Sequence, residues 1–249
     1  MRKRILVSLL FKVQFNACFL MMEELMLLKK VVMIYLCCIT PFLAQASLHD
    51  RGNGLIYDDV LNVTWLQDAN YAKTSGYDAD GQMTWNDAQT WVSGLTYGGY
   101  SDWRLSDVNP VNTVLSYDGT SDVGYNITSV NSELAYMFYV NLGNSALYDT
   151  AGNPTGGCST PATCLTNTGL FNNLQSFVYW SGVELASDAA KAWSFNNQEG
   201  LQNFDSKGAQ FFAWAVRSGD ITPVPVPAAI WLFVSGFVGL FGFRQQQQH

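Results

Sequence analysis

The chain has 249 residues and a formal net charge of −7, and 48% of its residues are hydrophobic. Both ends contain apolar runs. The segment between them, residues 47–220, has six basic and 18 acidic residues, a net charge of −12. Because binding to phosphate groups needs a basic face, this charge argues against nucleic acid as a partner. A segment of this length is typical of one domain.

The first 46 residues have the pattern of an export signal. Residues 31–44 are almost wholly apolar, Lys29 and Lys30 come directly before them, and an Ala-Gln-Ala cleavage pattern ends at Ala46. We therefore expect residues 1–46 to be a leader, removed by cleavage. Two glutamates fit poorly before the lysines, so residues 1–25 are either a misassigned start or part of a long natural leader.

The domain is predicted to be α+β, with two helices and several short antiparallel strands. Thr84 followed by Asp87 resembles a capping box, and apolar residues then recur at helical spacing as far as Leu95. A second helix is expected from Ser132 to Gly143. Segments bounded by Gly, Asn and Asp are expected to form the strands: 54–58, 64–67, 103–105, 178–181, 192–196 and 211–217.

Two carboxylates suggest a cation site. Asp78 and Asp80 stand at alternate positions before Gly81, as at the opening of a calcium-binding loop. The glutamate that would complete an EF-hand is missing at the required distance. The pair is therefore a calcium candidate, with a plain turn carrying two solvated aspartates as the alternative.

The domain contains two cysteines, Cys158 and Cys164, on either side of a turn-forming segment. In an oxidising compartment, such an isolated pair most simply forms a disulfide bond. A redox pair usually has two residues between its cysteines, and a zinc site would need further Cys or His ligands.

No catalytic residue or cofactor is predicted. The two histidines of the chain, His49 and His249, are not placed to form a preformed pocket, which argues against a Ser-His-Asp triad or a histidine metal site. A glycosidase with paired carboxylates needs no histidine, although the spacing of the acidic residues singles out no pair. A carboxylate-dependent, glycan-active enzyme therefore stays as the less favoured alternative.

Seven tryptophans lie mostly within apolar, periodic segments of the domain. Aromatic faces can stack on sugars, but each such side chain can also supply much of a small core, and we interpret most of them as core residues. Trp103 in particular is expected to point inward after a tight turn at Gly98-Gly99. Arg104 is expected to pair with a nearby carboxylate, Asp102 or Asp107.

Three groups of segments carry a resemblance: 52–58 with 63–66, 85–88 with 98–105, and 179–181 with 192–195 and 213–217. Together they resemble the Lcl C-terminal domain family, most specifically in the run Gly99-Tyr100-Ser101-Asp102-Trp103-Arg104-Leu105. The resemblance implies a C-type-lectin-like fold and, from one adhesin of the family, a sulfated glycan as a candidate ligand. Ser106 stands where the family usually has Pro, and an acidic domain fits sulfated glycans poorly.

The C-terminal part changes composition again. Residues 221–227 form a proline spacer, residues 228–243 carry no charge and are expected to form a transmembrane helix, and residues 244–249 form a cytoplasmic tail. The pattern resembles a PEP-CTERM sorting segment, with the motif Val224, Pro225, Val226 and Pro227. This resemblance implies processing by an exosortase-type enzyme.

Taken together, these features predict an exported protein that is anchored in the membrane by its C-terminal helix, with the domain outside the cytoplasm. We expect a non-catalytic binding, adhesion or exopolysaccharide-matrix module, with an extracellular glycan as a candidate partner. A purely structural envelope protein is the second interpretation.

Overall fold

The computed structural model describes residues 48–158 and 163–221, which form two β-sheets with a few short helices. The strands of the first sheet are β1 (Leu48–Asp50), β2 (Leu55–Asp58), β3 (Val63–Leu66), β5 (Arg104–Leu105) and β12 (Ala215–Ser218). The strands of the second sheet are β4 (Gln82–Met83), β6 (Leu115–Ser116), β7 (Val123–Gly124), β8 (Val178–Glu184), β9 (Lys191–Asn196), β10 (Leu201–Ser206) and β11 (Phe211–Phe212).

Both sheets combine strands that are distant in sequence. The first has the order β1-β2-β3-β12-β5 and is antiparallel throughout. The second has the order β4-β11-β8-β9-β10-β7-β6, in which β11 with β8 and β6 with β7 are the parallel pairs. Since β11 and β12 lie next to each other in the chain but in different sheets, the C-terminal part of the domain connects the two sheets.

The helices are α1 (Tyr71–Thr74), α2 (Trp85–Ser93) and α3 (Glu133–Tyr136), and a π-helical turn, Met137–Asn141, follows α3. The expected fold class, an α+β domain similar to C-type lectins with two helices, is therefore wrong. Helix α2 begins after Thr84, whose side chain accepts a hydrogen bond from the Asp87 amide at 3.3 Å. The apolar run after Ser132 gives only one α-helical turn before the hydrogen bonding widens. Many of the other buried apolar residues lie on strands.

The transmembrane helix that was predicted together with this fold class is not shown either. Among residues 48–158 and 163–221, no helix is both long and apolar enough to cross a bilayer. The leader (1–46), the apolar run (228–243), the tail (244–249) and the motif at 224–227 lie outside the described residues.

The tryptophans form a large part of the core. All seven in the domain are buried: Trp65, Trp85, Trp91, Trp103, Trp180, Trp193 and Trp214. The indole of Trp180 donates a hydrogen bond to the Met83 carbonyl at 2.9 Å, and that of Trp214 donates to the Leu66 carbonyl at 2.7 Å. These bonds connect β8 to β4 and the segment before β12 to β3. The seven indole rings are therefore core residues.

The run 99–105 is also structural. Gly98 and Gly99 have φ values of +61° and +85°, which glycine adopts without strain, and they turn the chain after α2. Asp102 then accepts two hydrogen bonds of 2.9 Å from Arg217 on β12. The guanidinium of Arg217 lies 4.0 Å from the centre of the Tyr100 ring. This contact joins the run to the strand at the end of the domain.

Arg104 makes the second ion pair of this run. Its guanidinium donates to both carboxylate oxygens of Glu133 on α3, at 2.8 and 2.7 Å. Glu133 also accepts the backbone amide of Asp107 at 2.6 Å. The expectation that Arg104 pairs with Asp102 or Asp107 is therefore wrong, because the fold brings a more distant carboxylate beside it.

Candidate functional site

A polar cleft is lined by residues from four places in the chain and has a volume of about 490 Å³. They come from α1 and the residue before it, the turn leading into β4, the loop before β8, and β11. The lining residues are Asn70, Lys73, Thr74, Asp80, Gln82, Asn173, Gln175 and Phe212. Half of them are side-chain amides, each of which carries both a hydrogen-bond donor and an acceptor.

Asn70 joins two walls of the cleft. It lies directly before α1 and is 5% exposed. Its Nδ2 donates to the Asp80 carbonyl at 3.2 Å, while its Oδ1 lies against Gly81 and has no hydrogen-bond partner. A Cβ at Gly81, where φ is +87°, would lie 1.8 Å from that oxygen. Glycine therefore lets the turn before β4 approach α1 closely.

Asp68 holds the opposite wall. One of its carboxylate oxygens accepts a hydrogen bond from the backbone amide of Asn70 at 2.9 Å. The other accepts a hydrogen bond from the side-chain Nδ2 of Asn173 at 3.1 Å. The Gln175 side chain donates to the Asn173 carbonyl at 2.6 Å, and the Gln175 backbone amide donates to the Tyr179 hydroxyl at 2.9 Å. The amides of this loop are thus held by a buried strand and by a carboxylate beside the cleft.

The charges of the cleft are balanced. Among the described lining residues, Lys73 is the single amine and Asp80 the single carboxylate, and both are exposed. The Asp80 carboxylate accepts the backbone amide of Gln82 at 2.9 Å. The set of side chains, which includes no histidine, is suited to hydrogen bonding with a polar ligand.

The carboxylates of the two calcium candidates, Asp78 and Asp80, mainly accept hydrogen bonds from backbone amides of their own turn. Asp78 Oδ1 accepts the backbone amides of Asp80 and Gly81, at 3.1 and 2.7 Å. Of the two, Asp80 lines the cleft. In the described part of the chain, no group of three or more His, Cys, Asp or Glu residues could hold a metal ion. Calcium binding at this turn thus stays a prediction.

Cys158 and Cys164 lie outside the cleft and are joined by a disulfide bond. Cys164 is buried, and its backbone amide donates to the Gln198 carbonyl at 2.8 Å. The bond therefore ties the segment around residue 158 to the turn between β9 and β10.

The sequence pointed to Asp80 and to none of the amides. Asn70 and Gln82 belong to one segment, and Asn173 and Gln175 belong to another about a hundred residues later; no motif or periodicity connects the two. The backbone pairing of residues 67–69 with Asn172 and the packing of β11 between β4 and β8 bring the two segments together.

Comparison with known protein families shows a match over most of the described domain. The family model of the Lcl C-terminal domain matches residues 54–217, more than half of the chain. The matched span contains the whole cleft, the run 99–105 and nearly all the strands of both sheets. No curated protein shows a significant match to the chain.

Proposed function

The chain belongs to the Lcl C-terminal domain family, and from this premise we propose that it is an exported, non-catalytic binding protein of the cell envelope. The cleft is its ligand site. The observation that carries the proposal is the convergence of four amide side chains, from two segments about a hundred residues apart, around one cleft of about 490 Å³. That volume lies within the range of about 300–1,000 Å³ that is usual for small-molecule sites.

The rigidity of the cleft supports binding. Asp68 bonds to residues of two walls, and Asn70 connects α1 to the turn before β4. Groups that are already held in place lose little conformational entropy when a ligand binds, which favours affinity. The hydrogen-bonding amides around the cleft do not ionise near neutral pH, so binding suits them better than acid–base catalysis.

Export is supported by the Cys158–Cys164 bond, since disulfides persist in oxidising compartments. For the sorting of the protein we propose that the motif Val224, Pro225, Val226 and Pro227 is read by an exosortase-type enzyme. Replacing Pro225 and Pro227 by alanine should then leave an unprocessed chain, visible as a larger species on a gel. A wild-type size and location in that variant would contradict the sorting proposal.

A purely structural envelope protein is the second candidate. The observation that favours it is the run 99–105, the most specific part of the family resemblance, whose side chains make core contacts and ion pairs. Tyr100 and Asp102 contact Arg217, and Arg104 contacts Glu133. A domain retained for its fold alone would show the same feature.

The two candidates differ in whether the cleft has a ligand. We would screen the purified full chain against a glycan array, a peptide library and a metabolite library, and compare it with a Gln175→Ala variant. Binding that Gln175→Ala weakens, while Asn86→Ala on the exposed face of α2 leaves it unchanged, supports the proposal. If no compound binds, the structural candidate stands. If a compound binds and both variants bind it like the parent, the protein is a binding protein but the cleft is not its ligand site.

A further inference from the structure

We infer that the cleft selects uncharged saccharides. This inference rests on the proposed function, which makes the cleft a ligand site, and adds the class of ligand. Three properties of the lining residues carry it: the chemistry of the amides, the balance of charge, and the single aromatic ring.

The amides match hydroxyl groups. An Asn or Gln side chain offers donors and an acceptor side by side, and a sugar hydroxyl also donates and accepts, so adjacent hydroxyls can bond to one amide at both ends. Gln82, Asn173 and Gln175 are partly or fully exposed on the cleft wall, and the Thr74 hydroxyl adds a fourth neutral group. All of these groups are neutral, so none of them adds an ion pair to a charged ligand.

The charges disfavour an ionic ligand. Lys73 and Asp80 contribute one charge of each sign to the lining, so an anion or a cation gains little net attraction there. The acidic domain, with 18 acidic against six basic residues between 47 and 220, adds a negative field around the cleft. At low salt the net charge of the domain disfavours the approach of sulfated and carboxylated chains, while Lys73 in the lining disfavours a cation.

Phe212 supplies an apolar contact. It is 7% exposed, and its ring packs 5.4 Å from the ring of Tyr179 and 6.1 Å from that of Phe177, measured between centroids. The ring is therefore fixed in place on the cleft lining. The small part of the ring that is exposed at the cleft can contact C–H groups of a pyranose, while the sugar hydroxyls reach the surrounding polar side chains.

The experiment compares paired ligands. Neutral gluco-, galacto- and manno-oligosaccharides and their sulfated counterparts are titrated into the full chain by calorimetry, at low and at high salt. We expect binding to some neutral members, no binding to their sulfated counterparts, and little dependence on salt, because counterion release needs charge pairing. Gln82→Ala and Gln175→Ala should each weaken neutral binding about five- to tenfold, the loss of one or two hydrogen bonds.

Two further variants make the outcome decisive. Asn86→Ala is the control and should change nothing. Lys73→Gln removes the single amine of the lining and should leave neutral binding nearly intact, whereas it would abolish binding of a sulfated chain. Thermal melts show whether each variant is folded. If one of the two variants Gln82→Ala and Gln175→Ala does not fold, the other is sufficient for the test.

The failures are distinguishable. Binding restricted to sulfated chains, or strongly weakened by salt or by Lys73→Gln, overturns the inference and leaves the cleft as a ligand site. The inference is also overturned, and the cleft remains a ligand site, if no saccharide binds but a peptide or a metabolite does and Gln175→Ala abolishes that binding. If no ligand of any class depends on Gln82 or Gln175, both the inference and the proposed function fail.

Discussion

Replacing Arg104 by methionine should destabilise the domain markedly, because it leaves a buried carboxylate without its main partner. Glu133 is 8% exposed and accepts three hydrogen bonds, two from Arg104 and one from the Asp107 amide. Methionine keeps the aliphatic part of the side chain and removes both bonds from the guanidinium. The remaining amide cannot compensate a full negative charge away from water.

The magnitude follows from the burial of the two partners. Breaking a buried ion pair costs about 3–5 kcal/mol, and the solvent that reaches Arg104 lowers this to about 2–3 kcal/mol. The side chain of Arg104 is 35% exposed, against 10% for that of Glu133. For a domain of this size, the corresponding fall in Tm is about 5–10 °C. Thermal unfolding of the full chain, followed by circular dichroism, measures the fall.

Two comparisons test the reasoning. Arg51→Met breaks an equally short pair with Asp220, whose side chain is 40% exposed where that of Glu133 is 10% exposed, and should change the melting temperature little. Adding Glu133→Leu to Arg104→Met removes the stranded charge and should recover part of the stability. If Arg104→Met melts at the temperature of the parent or of Arg51→Met, the structural interpretation of Arg104 is refuted. Loss of ligand binding in such a normally melting variant would instead make Arg104 a binding residue.

The other predictions concern the core, the cysteines and acid stability. Trp103→Ala should cost about 3–5 kcal/mol in urea unfolding, because the indole is 4% exposed and fills the core; a normal midpoint with lost binding would make Trp103 a ligand contact. Free-thiol labelling of the denatured, unreduced domain should find no reactive Cys158 or Cys164, whereas two labelled cysteines per chain would exclude the disulfide bond. The hydrogen bonds from Arg217 hold the pKa of Asp102 below its ordinary value of 3.8. A lowered carboxyl pKa gives stability that is present above the unfolded pKa and lost as pH falls through the folded pKa. Asp102→Asn should therefore lose less stability than the parent between neutral pH and pH values below about 4, and parallel pH profiles would exclude this linkage.

Local features of the fold could be predicted from sequence. The start of α2 follows from Thr84 and Asp87, because a cap depends on residues three apart in the chain. The burial of Trp103 follows from its size and the apolar segment around it. The strands in the predicted segments, such as β8 and β9, also depend on local alternation and on Gly, Asn and Asp at their ends.

The sequence-based predictions of secondary structure were wrong where contacts with residues distant in the chain determine the local structure. The run from Ser132 was expected to stay helical, yet after Tyr136 it widens into a π-helical turn whose Asn141 donates to Asp58, 83 residues away in sequence. Strand β10 was missed because its polar residues give no alternation, and it is held by its backbone pairing with β9. These outcomes depend on long-range pairing, which a local pattern does not encode.

The sequence by itself determined the acidity of the domain, the isolated cysteine pair, the tryptophan-rich core and the family, because each depends on residue type or on short spacing. The tertiary structure decided the partner of Arg104 and the position of the cleft. Arg104 and Glu133 are 29 residues apart, and Asn70 and Gln175 are farther apart still, so the ion pair and the shared cleft depend on the order of strands in the sheets. That order is a global minimum of burial and backbone pairing, which the packed chain reaches only as a whole.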